Sequence, residues 1–271
     1  MAGKRRAGKY GLRFFALGYL ALLLLIPIGM VVINTFGEGI GNAWTAITSP
    51  DGLHAIYLTL LIAAIAVPLN TIFGVGCALL MVRTEFRGKA LLNAVIDVPF
   101  AISPVVIGLS LVLVYGSRGT GWFGDWFVNN GIQVIFSVPG MVLATIFVCL
   151  PFVVREVIPV LQEVGDEQEQ AARTLGASPW QTFWRVTLPS IRWGVAYGVV
   201  LTMARAIGEF GAVAVVSGHI TGQTQTLTLF VQQEFTNFDK AGAYGASLVL
   251  ALIAITTLVG LNLAKRKEAV T

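Results

Sequence analysis

Apolar residues in this chain gather into long runs, and charged residues collect at the ends of those runs. Crossing a hydrocarbon core of ~30 Å takes roughly 20 residues of α-helix at 1.5 Å each, and about six runs reach that length. They extend from about Phe14 to Ile33, Ala55 to Val82, Leu91 to Tyr115, Val138 to Val160, Trp193 to Val216 and Tyr244 to Ala264. The pattern predicts an all-α fold, a polytopic membrane helix bundle with six transmembrane helices. The basic opening KRRAGKYGLR before an apolar run imitates a secretory signal, but the run is long and no small-x-small cleavage site follows it. It reads as a retained first span. No repeat, low-complexity tract or linker divides the chain, so residues 1–271 read as a single transmembrane domain.

Composition sharpens this picture. Of 271 residues, 56% are hydrophobic and only 12% charged, where an average soluble domain has roughly 25% charged residues. A disordered chain needs the opposite balance, and two cysteines cannot staple a disulfide scaffold. The net charge of +4 does not form the stripe that nucleic acid requires. It reports orientation instead. The N-terminal tail (Lys4, Arg5, Arg6, Lys9, Arg13), the second loop (Arg83, Arg87, Lys89), the fourth loop (Arg173, Arg185, Arg192) and the C-terminal tail (Lys265, Arg266, Lys267) hold fourteen of the 18 basic residues. Arg118 and Lys240 lie on the other side, so both termini are expected in the cytoplasm. Pro27, Pro68, Pro99, Pro104, Pro151 and Pro159 fall within or at the edges of spans, where each favours a kink. Six together favour a bundle that moves or lines a pathway.

The fourth loop, about Leu161 to Arg192, is the most informative segment. Asp166 and Glu169 have capping-box spacing, so a short helix is expected to start there and run through QAARTL to a left-handed stop at Gly176. Ser178, Pro179 and Gln181 form a second start signal. The helix that follows would carry Trp180, Phe183 and Trp184 on one face and end at Leu188 and Pro189. Such a hairpin needs either a partner or the membrane's headgroups.

QAARTLGASPWQTFWRVTLP resembles the EAA motif of ABC-importer permeases: E-A-A, three residues, G, nine residues, I, one residue, L-P. Ala171, Ala172, Gly176, Leu188 and Pro189 match, whereas Gln170 replaces the Glu, with Glu169 adjacent, and Val186 replaces the Ile. The resemblance implies a coupling helix, built from these residues with Trp180, Phe183 and Trp184, that docks on a cytoplasmic ATPase. Ser103 to Gly119, Pro151 to Gln162 and Met203 to Leu229 further resemble the sulfate/thiosulfate permeases, in particular the W-type subunit. That implies a bacterial-type inner membrane location, a T-type permease subunit as partner, two ATPase subunits and a periplasmic sulfate/thiosulfate-binding protein. Molybdate permeases share the architecture. No cofactor is implied on this chain, ATP and magnesium belonging to the partner ATPase.

The phosphate-cradling loop G-x-x-x-x-G-K-[ST] does not occur, since Lys89 follows Gly88 but precedes Ala90. His54 and His219 sit in separate outer segments and are not placed to build a metal or catalytic cluster, and Cys77 and Cys149 read as small packers in different spans. Ionisable residues inside the membrane are functional hypotheses by default. Asp97 is expected at the cytoplasmic interface, and Arg155 and Glu156 in a solvated or subunit-bridging role. Arg205 and Glu209, spaced i and i+4 deep in the fifth span, are either a structural ion pair or a gate or pathway element, and Ser103 and Pro104 are further pathway or gate candidates. A self-sufficient secondary transporter is the alternative to an importer subunit, but no inverted internal symmetry is apparent. A membrane-embedded enzyme would need a nucleophile, base or metal constellation that the sequence does not offer.

Overall fold

A computed structural model describes residues 2–37, 39–117 and 121–268, which leaves Arg118 and Gly119 outside the described residues. In chain order the helices are α1 (Ala2–Gly37), α2 (Ile40–Thr48), α3 (Pro50–Arg83), α4 (Lys89–Ala101), α5 (Pro104–Tyr115), α6 (Gly124–Asn129) and α7 (Val138–Val164). There follow α8 (Glu167–Thr174), α9 (Pro179–Thr182), a π-helical turn (Phe183–Thr187), α10 (Leu188–Ile207), α11 (Gly211–Val216), α12 (Leu227–Thr236) and α13 (Lys240–Glu268).

Helix α3 starts where the sequence supplies both start signals: Ser49 Oγ accepts from the Gly52 N–H at 3.0 Å, and Pro50 holds the first helical position. α3, α7 and α10 form the centre of the bundle. They approach closely because glycine faces the contact: a Cβ on Gly74 would lie 2.6 Å from Val153 Cβ, and one on Gly198 would lie 3.0 Å from Val153 Cα. Val75, Ala78, Val153, Val157, Leu161 and Ile191 fill the space between the three helices. A second cluster around Leu58, Met141, Val213 and Leu229 joins α3 and α7 to α11 and α12.

Among the described residues, four helices are long and apolar enough to cross a bilayer, at residues 13–37, Pro50–Arg83, Val138–Val164 and Lys240–Thr257, and α4 with α5 makes a fifth if the bent pair counts as one. Two of the six expected spans need correction. The run from Leu91 to Tyr115 is not one helix: α4 and α5 meet at 111° across Ile102 and Ser103. Both linking residues are extended, as a following proline favours for Ser103, and Pro104 opens α5 at its first position. The run from Trp193 to Val216 is also broken, at Gly208–Phe210, and α10 is not among the helices that qualify alone. Proline was not the breaker in the other helices. Pro27, Pro68, Pro99, Pro151 and Pro159 all lie inside continuous helices.

Candidate functional site

The fourth loop folds into two short helices around a glycine turn. Gly176 has φ of +86°, the Ala177 N–H donates to the Ala172 carbonyl and the Gly176 N–H to the Arg173 carbonyl, both at 3.0 Å. These two bonds satisfy carbonyls that the end of α8 would otherwise leave bare. The second start signal also forms: Ser178 Oγ accepts from the Gln181 N–H and Gln181 Oε1 from the Ser178 N–H.

Three expectations for the loop are corrected. Asp166 precedes α8 but makes no cap to its backbone; its carboxylate accepts from the Gln170 side chain at 2.8 Å instead. Glu169 is buried and points to Arg83, 3.2 Å away, rather than closing a capping box. Leu188 and Pro189 do not end the second helix, which runs through the π turn straight into α10. A proline has no N–H to donate to the carbonyl of residue i−4, and the widened turn before it moves that mismatch upstream, with the Leu188 N–H donating to the Phe183 carbonyl. The three aromatic rings stay in mutual contact, Phe183 edge-on to Trp184 at 5.2 Å, but they differ in exposure. Trp180 stays 70% exposed and Trp184 exposed, edge-on to each other at 5.5 Å, while Phe183 packs against the cluster containing Leu161 and Ile191. Gln170, Ala171 and Gly176 are exposed, Ala172 and Val186 half-buried. Leu175, 89% exposed at the tip, belongs with this surface. Its place between α8 and the glycine was readable from the sequence, but its outward direction was not.

The two broken spans meet at their breaks. Pro104 packs against Gly211, and α5 lies along α11. Glu209 sits in the second break, 2% exposed, with one carboxylate oxygen 2.5 Å from Arg205 Nη1 and the other accepting from the Ala212 N–H at 2.8 Å. The carboxylate therefore serves both a cation and the first turn of α11. The Arg205 side chain remains 30% exposed. Ser103, exposed at the start of α5, makes no side-chain cap.

Asp97 and Arg155 find each other across α4 and α7: Arg155 Nε donates to Asp97 Oδ1 at 2.9 Å, and Nη2 to Asp97 Oδ2 and to Asn93 Oδ1. Cys149 is fully buried beside Ala63, Val67 and Ala206. His54 Nε2 lies 3.2 Å from the Gln223 carbonyl oxygen, and His219 Nε2 lies 2.8 Å from that of Ala214.

Residues 70–267 match the family described as "Binding-protein-dependent transport system inner membrane component". The chain belongs to this family. Among relatives of this transport component, a "Sulfate transport system permease protein CysW" of Synechocystis is 57% identical over 251 residues, 93% of this chain and 90% of the relative. A "Sulfate transport system permease protein CysT" of Synechococcus elongatus is 39% identical, covering 90% of this chain and 87% of the relative. The fold matches a chain of the bacterial alginate ABC transporter solved in complex with alginate pentasaccharide-bound periplasmic protein, with TM-score 0.79 over 98% of this chain and 96% of that one, at 18% identity. The family and this likeness together make it a membrane permease fold, all-helical among the described residues.

A carboxyl of the transport component on α12 provides a pH-dependent test. Burial, then the neighbouring charge and hydrogen bond of Asp239 and the charge of Asp51, push the Glu234 carboxyl above its ordinary value. The folded chain then keeps a proton that the unfolded chain releases, so the contribution to stability is full below the ordinary value and is lost as pH rises through the raised one. Glu234→Gln is expected to raise the thermal midpoint at about pH 7.5 and to change it less at about pH 4. Equal shifts at both would show that the charge is not the cause.

Proposed function

We propose that this chain is the transmembrane permease subunit of an ATP-driven sulfate/thiosulfate importer. The observation that carries the reading is its 57% identity, over 93% of its length, with a sulfate transport system permease protein. In this reading α1, α3, the bent pair α4 and α5, α7, α10 with α11, and α13 make the six spans, and both termini face the cytoplasm. A T-type permease subunit completes the pathway, a periplasmic sulfate/thiosulfate-binding protein delivers the anion, and two cytoplasmic ATPase subunits hold ATP and magnesium.

The hairpin α8–α9 is the coupling element. Gln170, Ala171, Ala172, Gly176, Trp180, Phe183, Trp184, Val186, Leu188 and Pro189 are its coupling residues, with Leu175 added. Two exposed tryptophans and an exposed leucine on one small hairpin support docking into a protein groove, the kind of anchor that dominates interfaces. Phe183 anchors the hairpin to its own bundle. Arg205, Glu209, Ser103 and Pro104 are assigned to the anion's path. A partly exposed guanidinium attracts the dianion, and the carboxylate beside it keeps the attraction weak enough for release.

The complete complex in liposomes should accumulate labelled sulfate when ATP is inside with the ATPase. Unlabelled thiosulfate should compete strongly, and molybdate and phosphate weakly. Stronger competition by molybdate would reassign the anion, and accumulation by this chain without an ATPase would overturn the importer.

A further inference from the structure

Arg83 ends α3 with its guanidinium aimed into the fourth loop. Nε and Nη2 donate to the Glu169 carboxylate at 3.2 to 3.3 Å, Nη1 donates to the Leu161 carbonyl at 3.2 Å, and Nη2 also donates to the Gly165 carbonyl. Leu161 lies in the last turn of α7 and Gly165 just past it, where carbonyls lack helical partners and a cation is favoured. Glu169 in turn accepts from Thr187 Oγ1 at 3.0 Å, at the last residue of the π turn. One planar fork thereby ties the end of α3 to the end of α7, to α8 and, through Glu169, to the head of α10.

The hairpin consequently has two kinds of attachment. Its second arm is continuous with α10 through the π turn, so movement of α9 passes directly into that helix. Its first arm follows Gly165, at φ of +70°, which breaks the path from α7 into α8. On that side the clamp supplies the connection the backbone interrupts. The pair is largely dry, with side-chain exposures of 17% for Arg83 and 10% for Glu169. A void of about 10 Å³ beside it is walled by the same segments. Charges paired in such surroundings resist separation, because either one alone would be left buried without compensation.

We propose that Arg83, acting through Glu169 and Thr187, is a positioning residue that carries movement of the hairpin into α3 and the α3–α7–α10 core. The proposal rests on the hairpin being the coupling element. Its signature is the yield of transport per ATP rather than assembly.

The test uses the complete complex in liposomes and reads ATP hydrolysed per sulfate accumulated. Arg83→Lys keeps a charge but loses the fork; Glu169→Gln keeps an acceptor for Thr187 but loses the charge; Thr187→Val removes one hydroxyl and is the mildest. Arg83→Lys and Glu169→Gln are expected to raise the ATP cost per sulfate about fivefold or more, with Thr187→Val between them and wild type and the ATPase retained at the wild-type ratio. An unchanged ratio in all assembled variants overturns the clamp, whether transport is normal or falls in step with hydrolysis. If Arg83→Lys and Glu169→Gln fail to assemble, an unchanged ratio in Thr187→Val overturns it. Failure of the wild-type hairpin to hold any ATPase is a different result, which rejects the coupling reading itself.

Discussion

Arg205→Ala is expected to lower sulfate uptake about a hundredfold or more, and adding Glu209→Gln should restore the amount of folded chain without restoring uptake. The two halves of this result have different causes. Removing the guanidinium leaves the Glu209 carboxylate buried without its 2.5 Å partner, and breaking such a pair costs about 3 to 5 kcal/mol. Glutamine at 209 removes the orphaned charge yet keeps an oxygen for the Ala212 N–H, so the start of α11 stays tied. If the pair were scaffolding alone, the double variant would transport at near wild-type rate. Membrane-fraction blots for chain amount and labelled sulfate uptake in the same vesicles separate the outcomes.

Gly176→Val acts by another route. Beyond its own backbone and its chain neighbours, no heavy atom lies within 4 Å of where a Cβ on Gly176 would stand, so the cost comes from the +86° φ. A β-branched residue in that region costs about 1 to 2 kcal/mol, and the turn relieves it by opening, which tilts α8 against α9. Uptake should fall roughly tenfold as the docking surface loses its shape. Insertion should not change. Normal uptake with normal ATPase retention would remove the glycine turn from the coupling account.

What could be read in advance was local. The Ser178–Gln181 box, Pro179 and the left-handed Gly176 are set by neighbours within three or four residues, and each is found as expected. The clamp was hidden because Arg83 and Glu169 lie 86 residues apart, and Asp97 and Arg155 58 apart. Only the packing of α3 and α4 against α7 brings them together. Asp166 shows the limit of the local rule: the spacing was right, but Glu169 had a stronger partner in Arg83 than the backbone could offer. The breaks followed the same logic. Hydropathy sees Leu91–Tyr115 as one run because Ile102 is as apolar as its neighbours, whereas the bend belongs to the backbone ahead of Pro104.

The π turn sets a phase. α9 and α10 form one rod, and the turn at 183–187 holds about one residue more than an α-helix of the same path would need. Each residue of an α-helix advances the face by roughly 100°. The tryptophans at 180 and 184 and the glycine face at 194 and 198 are therefore aimed independently, one away from the bundle and one at α7, although no loop intervenes. Length at this point is information: losing a single residue there would turn the exposed tryptophan face by roughly 100°, to the wrong compass bearing.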